Sequence, residues 1–250
     1  MKFFTDLFQL FKPKYLKIFF AAAAVVILAM SSLIAFELFF SEHKVSEQQS
    51  DEDTVRFTLT DADRALFKAV RDNDLKEVLR SLREGYRADA VNKRGATPLM
   101  TAVALNRVDM VRELIASDRT ARDTNSILVY AVVQNRPEIV KELVKFSSGV
   151  NSPDRNGYTP LLYAVTRNNV NVARVLLNAG ADVNAQSRAG VTPLIAAVTV
   201  GRPDMVSELL KAGADVDALS PSGETAMSIA RQRSRQVIIA LLAGAEESAN

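Results

Sequence analysis

The sequence contains no cysteine and a single histidine, His43. The absence of cysteine excludes disulfide scaffolds, thiolate zinc sites and cysteine nucleophiles. The one histidine lies in a polar segment near the N-terminus, so the rest of the chain has none for a Ser-His-Asp triad. The charge is nearly balanced, with 31 Lys and Arg against 29 Asp and Glu. This balance argues against a dedicated nucleic-acid binder.

Sequence motifs for catalysis and metal binding are also missing. There is no glycine-rich phosphate loop after a strand, no HExxH and no GxSxG. Asp72 and Asp74 flank Asn73, but the central glycine and the other ligands of a calcium loop are absent. We expect these three residues to cap a helix instead. The sequence therefore predicts no enzymatic activity, no cofactor and no metal.

Long apolar runs are confined to the first forty residues. Residues 18–36 carry no charge, and apolar residues continue to Phe40 with Glu37 as the interruption. Because about 20 helical residues cross the hydrocarbon core of a bilayer, we predict a transmembrane helix over residues 17–40. A cleavable secretion signal is the alternative, with Ala-Met-Ser at residues 29–31 as the cleavage site. Cleavage there would leave an apolar N-terminus on the mature chain.

Basic residues near the apolar run are more frequent on its N-terminal side, where Lys2, Lys12, Lys14 and Lys17 precede it. The positive-inside rule then predicts a single pass through an inner (plasma) membrane, with a cytosolic N-terminus and the following domain extracytoplasmic, in the periplasm of a bacterium. The inverted topology is the alternative. Residues 1–16 are predicted to form a cytosolic amphipathic segment, or else an ordinary signal n-region, and residues 41–60 a flexible linker.

Beyond residue 60 the sequence repeats with a period of 33. Thr-Pro-Leu at residues 159–161 recurs at 192–194, and drifts to Thr-Ala-Met at 225–227. Alanines recur in register at Ala69, Ala102, Ala131, Ala164, Ala197 and Ala230. The interval of 29 between Ala102 and Ala131 predicts a four-residue deletion between Ile115 and Asn125.

Each repeat contains signals for two short helices. Thr-Pro starts the first, because threonine caps free N–H groups and proline at the first helical position loses no hydrogen bond. Gly180 and Gly213 are expected to end the second helix in the left-handed conformation. Apolar residues between these signals recur at helical spacing, so each helix has one buried face. Such units are stable only when stacked on neighbours.

The block Asp-x-x-Gly-x-Thr-Pro-Leu-x-x-Ala at residues 154–164, followed by Gly-Ala-Asp-Val-Asn at 180–184, resembles an ankyrin repeat. The resemblance covers residues 61–247 and implies an all-α solenoid of about six helix pairs with short turn or hairpin fingers, preceded by the single transmembrane helix. The first and last pairs are expected to be caps. The third has lost Thr-Pro and its preceding turn, which predicts altered curvature there. Pairs are expected to start near Asp63, Thr97, Ser126, Thr159, Thr192 and Thr225.

The resemblance also implies protein recognition, through the turn tips and the exposed side of the first helices. The basic positions predict a partner with an acidic surface, and Leu105 and Tyr158 are candidate apolar anchors. Solvated loop-tip arginines with no partner are the alternative, and phosphate or anionic-polymer binding is another. The matching positions are Lys93, Arg94, Leu105, Gln134, Arg155, Asn156, Tyr158, Arg167 and Arg188.

Three functions remain open at this stage. The first is a membrane-anchored module that presents its concave surface to a periplasmic protein, similar in layout to exported bacterial ankyrin proteins. The second is an immunity or inhibitor protein against a toxin or hydrolase in the same compartment. The third is a scaffold subunit of an inner-membrane complex.

The helical register can be tested at Leu176, which the repeat pattern assigns to the core. Leu176→Ala is expected to lower the free energy of unfolding by about 2–5 kcal/mol, because the substitution leaves a cavity. Urea denaturation would measure this loss. A loss below about 1 kcal/mol would contradict the assigned register.

Overall fold

Twelve α-helices in six consecutive pairs make up the part of the chain described by the computed structural model, residues 59–93, 95–117 and 124–249. No β-strand occurs within these ranges, so the predicted all-α solenoid of six helix pairs is confirmed. The predicted segments 1–16 and 17–40, and the linker up to residue 58, lie outside the described residues. Among the helices that are described, none has the length and apolar character needed to span a bilayer.

The first helices of the six pairs are α1 (Asp61–Asp72), α3 (Pro98–Ala104), α5 (Thr124–Val133), α7 (Pro160–Thr166), α9 (Pro193–Val200) and α11 (Ala226–Gln232). The second helices are α2 (Leu75–Arg83), α4 (Val108–Ser117), α6 (Pro137–Leu143), α8 (Val170–Asn178), α10 (Pro203–Lys211) and α12 (Gln236–Ala249).

Threonine caps start five of the first helices, and the one at Thr60 was not predicted from the sequence. In α7, the Thr159 hydroxyl accepts a hydrogen bond from the Leu162 N–H, and Pro160 occupies the first turn. Equivalent caps are made by Thr60, Thr97, Thr192 and Thr225. Asp74 caps α2 by accepting from the Glu77 N–H, which is the role expected for the Asp72–Asp74 segment.

Left-handed residues form the turn between the two helices of each pair. The turn residues are Asn73, Asn106, Asn135, Asn168, Gly201 and Ser234, with φ between 52° and 77°. Asparagine suits this position because its short polar side chain tolerates positive φ. Asn73 was expected to cap a helix, and the other turn asparagines were not predicted from the sequence, although all of them follow the repeat period. The predicted second-helix stops at Gly180 and Gly213 have φ of 86° and 84° and are confirmed.

Two columns of small apolar residues run along the stack, one through all six pairs and the other through the first five. The repeated alanines are at most 4% exposed, which lets neighbouring first helices approach closely. A parallel column of buried valines comprises Val70, Val103, Val132, Val165 and Val198. In the sixth pair this position is Arg231, which is exposed. A further pair stacked on α11 would bury that charge, which is unfavourable. Leu176 is fully buried in the same core.

Asparagine side chains connect the loops that follow the second helices. Asn151 donates to the Gly180 carbonyl at 3.1 Å and accepts from the Asp182 N–H at 2.8 Å. Asn184 likewise donates to the Gly213 carbonyl at 3.5 Å and accepts from the Asp215 N–H at 2.9 Å. Each amide therefore bonds one loop to the next, which fixes the spacing of pairs three, four and five.

The third pair departs from the repeat where the deletion was predicted. Helix α4 ends at Ser117 and α5 begins at Thr124, with residues 118–123 outside the described ranges, whereas residues 179–192 separate α8 from α9. Helix α5 begins at Thr124, without a Thr-Pro start. Its Asn125 accepts from the Ser147 hydroxyl at 3.0 Å and lies so close to Gly149 that a Cβ there would overlap it. The third pair is thus held by contacts to the loop that follows it. The predicted change in curvature remains a prediction.

Two ion-pair clusters join neighbouring second helices. Glu142 of α6 accepts from Arg112 of α4 and from Lys145, and Glu208 of α10 accepts from Arg174 of α8 and from Lys211. Hydrogen bonds to these basic groups hold the pKa of both carboxyls below the usual value. Both carboxylates therefore stabilise the folded chain above their unfolded pKa, and this contribution is lost as the pH falls through the folded pKa.

This linkage predicts a pH-dependent effect of the double substitution Glu142→Gln, Glu208→Gln. At pH 7 the urea midpoint of the variant is expected to lie below that of the wild type. Below the folded pKa of both groups, where the carboxylates are protonated in the folded and the unfolded chain, the two midpoints should converge. A gap that stays constant between these pH values would show that ionisation of the two groups does not contribute.

Candidate functional site

Four turns that share the same hydrogen bonds precede first helices, at residues 92–95 (Arg94 lies outside the described residues), 154–157, 187–190 and 220–223. In each, the glycine N–H donates to the carbonyl three residues earlier, at 2.8–3.0 Å. The first side chain, Asn92, Asp154, Ser187 or Ser220, accepts from the N–H four residues later. We call these four turns the fingers. Their tips are fixed by local hydrogen bonds.

Asp154 organises the second finger. Its Oδ1 accepts from the N–H groups of Asn156 and Tyr158, both at 2.8 Å, and its Oδ2 accepts from the Tyr163 hydroxyl at 2.7 Å. The Tyr158 and Tyr163 rings lie 5.5 Å apart at 55°, a hydrophobic staple across the start of α7. Burial and the neighbouring Asp154 carboxylate raise the pKa of Tyr163, so its hydroxyl remains a donor.

Adjacent fingers are bonded to each other. The Arg188 N–H donates to the Asn156 carbonyl at 2.9 Å. Gly157 permits this approach, because a Cβ there would lie 2.5 Å from the Arg188 nitrogen, and its φ is 79°. Arg155 and Arg188 are therefore held on neighbouring tips. Both are exposed, and neither forms an ion pair with a described acidic side chain.

A second row of surface residues lies where the first helices end. Leu105 and Val200 are 42% and 37% exposed there, and Gln134 is exposed. Arg167 and Arg233 continue the row and are half-buried. A first helix of 7 residues, such as α7, is about 10 Å long, so this helix-end row runs about 10 Å from the fingers.

The structure divides the predicted site residues between these two rows. Leu105, Gln134 and Arg167 belong to the helix-end row, whereas Arg94 lies outside the described residues. The expectation that Arg167 is fully exposed is wrong, because it ends α7 and is half-buried. Tyr158 is also half-buried, against Tyr163. On or beside the fingers lie Lys93, Arg155, Asn156, Tyr158 and Arg188.

Several residues of these rows were missed from the sequence. Tyr163 holds the second finger through Asp154, and Tyr130 occupies the same position one repeat earlier. Arg233 follows Arg167 and Val200 at steps of 33. Extending the period from Arg167 would have found Arg233, whereas Tyr130 and Tyr163 are not one period away from any chosen position.

No three metal-ligating side chains cluster within the described ranges. The fingers and the helix-end row together form a broad surface of guanidinium groups, amides and half-buried tyrosines, and hydrogen bonds hold its backbone in place. Such a surface suits recognition of another molecule through charge and hydrogen bonding.

Family comparisons match most of the described chain. The family described as Ankyrin repeats (3 copies) matches residues 66–152 and 116–187, and that described as Ankyrin repeats (many copies) matches residues 176–230. No curated protein matches the chain significantly.

Solved structures give the same result. The ankyrin repeat protein EF0377 is 30% identical, with a TM-score of 0.63 over 72% of this chain and 97% of its own. The ankyrin repeat domain ABAYE2397 from Acinetobacter baumannii is 28% identical, with a TM-score of 0.64 over 72% of this chain and 97% of its own. The ankyrin repeat domain of Bcl-3, a member of the IkappaB family, is 27% identical, with a TM-score of 0.64 over 72% of this chain and 85% of its own.

The Asp154 network can be tested with two matched tyrosine substitutions. Tyr163→Phe is expected to lower the free energy of unfolding by about 1 kcal/mol, because the Asp154 carboxylate loses a donor. Tyr158→Phe keeps the ring contact and removes a hydroxyl for which the structure shows no hydrogen bond, so little change is expected. Urea denaturation measures both, and equal losses would contradict the assignment.

Proposed function

The chain belongs to the ankyrin-repeat family, and from that premise we propose that it is a membrane-anchored, extracytoplasmic protein that binds the acidic surface of a protein partner. Ankyrin folds are generally non-catalytic scaffolds for interaction with proteins. The observation that carries the proposal is the pair of exposed arginines, Arg155 and Arg188, on two fingers that are bonded to each other.

Rigid fingers favour binding of carboxylates. Guanidinium groups bind carboxylates in bidentate fashion, and little ordering free energy is lost when their backbone is already fixed. The link from Arg188 to Asn156 and the bonds to Asp154 provide this rigidity. Tyr158, half-buried beside Arg155, supplies the aromatic contact common at the centre of interfaces. Lys93 extends the positive charge to the first finger.

Membrane anchoring and periplasmic location are supported by the sequence. The uncharged run at residues 18–36 has the length of a spanning helix, and lysines before it favour a cytosolic N-terminus. The predicted linker, which ends before Thr60 caps α1, would reach about 25 Å on average as a flexible chain, so it would keep the repeats near the bilayer and free to reorient. A reporter fused after residue 50 tests the topology, and activity of a cytosol-dependent reporter would contradict it.

Charge reversal tests the binding surface. The triple variant Arg155→Glu, Arg167→Glu, Arg188→Glu is expected to lose its partner on co-purification from native membranes in mild detergent. Because Arg167 is half-buried, the double variant at Arg155 and Arg188 should be measured too. The matched control, Lys76→Glu, Arg83→Glu, Lys141→Glu, makes the same charge change at exposed positions on second helices and should retain the partner.

The co-purified protein also separates the alternatives. A soluble periplasmic partner lost on reversal supports docking, and loss of a toxin or hydrolase supports the immunity or inhibitor role. An integral-membrane partner that survives reversal but is lost when another helix replaces residues 17–40 supports the scaffold subunit. Equal binding by the triple variant and the control contradicts the basic-surface proposal.

A further inference from the structure

Two arginines converge on one backbone carbonyl at the end of the array. Arg233 Nη1 donates to the Thr199 carbonyl at 2.8 Å, and Arg235 Nη2 donates to the same oxygen at 2.9 Å. Thr199 lies in the last turn of α9, where carbonyl groups lack helical partners. Their shared acceptor brings two positive charges together.

One donor would be enough to satisfy such a carbonyl. In the earlier pairs, Arg136 alone donates to the Ala104 carbonyl at 3.4 Å, and Asn169 alone donates to the Val132 carbonyl at 2.9 Å. A guanidinium has five N–H groups, so Arg233 and Arg235 keep most of their donors after binding Thr199. Capping of α9 therefore does not account for both arginines.

The turn beside Thr199 is shaped to accept a guanidinium. Gly201 is the one glycine among the six left-handed turn residues of the described pairs. A Cβ at Gly201 would overlap the Arg235 guanidinium, so the missing side chain provides its space. Glycine therefore stands at this turn, where four other pairs have asparagine, and leaves room for the Arg235 guanidinium.

Positive charge at this position is not neutralised by the described part of the protein. Arg202 follows Gly201, is exposed, and makes no side-chain hydrogen bond or ion pair there. Asp204, exposed two residues later, pairs with none of the three arginines. Burial, followed by the charges of Arg233 and Arg202, lowers the pKa of Arg235. Bringing like charges together without a counter-charge is unfavourable, and a bound anion would relieve this repulsion.

We propose that Arg202, Arg233 and Arg235 form a binding site for a phosphate group, separate from the fingers. The three guanidinium groups lie around one turn, so their charges are close together. This spacing suits a compact dianion better than an extended acidic segment, whose charges would be spread along the rows. Guanidinium N–H pairs also fit phosphate oxygens in bidentate geometry. The phosphate is either free or a monoester of a lipid headgroup, since the exposed chemistry is the same.

The test is titration of the detergent-solubilised full-length chain with inorganic phosphate, at constant ionic strength held by sodium chloride and followed by 31P NMR. Saturable binding with one site per chain is expected. Arg202→Gln should weaken it about fivefold, because one charge near the anion is lost. Since Arg202 makes no side-chain hydrogen bond with described residues, the melting temperature should not change, which separates lost binding from lost folding.

Arg83→Gln, which removes an exposed arginine from the end of α2, is the matched control and should bind phosphate as the wild type does. Competition by vesicles of phosphatidylcholine containing phosphatidic acid, but not by pure phosphatidylcholine, would support a lipid source. Saturable binding without competition would support free phosphate. Non-saturable binding, an equal loss in Arg83→Gln, or saturation by a polyglutamate peptide but not by phosphate would overturn the proposal.

Discussion

Close packing of one helix pair on the next is the interaction on which the whole structure depends. Most of the helices have 7–10 residues, too few to be stable alone in water. The buried alanine column allows neighbouring first helices to approach, and the leucines and valines around it supply the apolar contact. Because each pair is stabilised by its neighbours, the ends need residues that no further pair can cover. Arg231, at the position of the buried valines in the sixth pair, is a residue of this kind.

Stacking also explains why the surface carries the function. Fingers precede four of the six pairs at one edge, and five first helices end in the helix-end row, so the fingers form one row and the helix ends another. Polar bonds between pairs then fix the rows: the Arg188 N–H on Asn156, the Asn184 amide between two loops, and the two guanidinium groups on Thr199. A surface built in this way is rigid before a partner arrives, which lowers the entropic cost of binding.

Local chemistry accounts for the features that could be predicted from the sequence. Thr159 caps its helix, Gly180 ends one, and Leu176 is buried, because each depends on neighbours in the same helix or turn. The third pair started two residues earlier than expected, since loss of Thr-Pro removed the start signal. Arg167 was expected to be exposed, but at the end of α7 it is half-buried.

By itself, the sequence determined the period, the helix starts and stops, and the buried columns, since capping and amphipathic spacing act over a few residues. Tertiary structure alone decided which side chains meet across pairs. Arg188 reaches Asn156, and Arg233 and Arg235 share Thr199, over separations near one repeat. Those contacts depend on the distance and angle between stacked pairs. The packing of whole helices determines this distance and angle, and neither can be read from the repeat period.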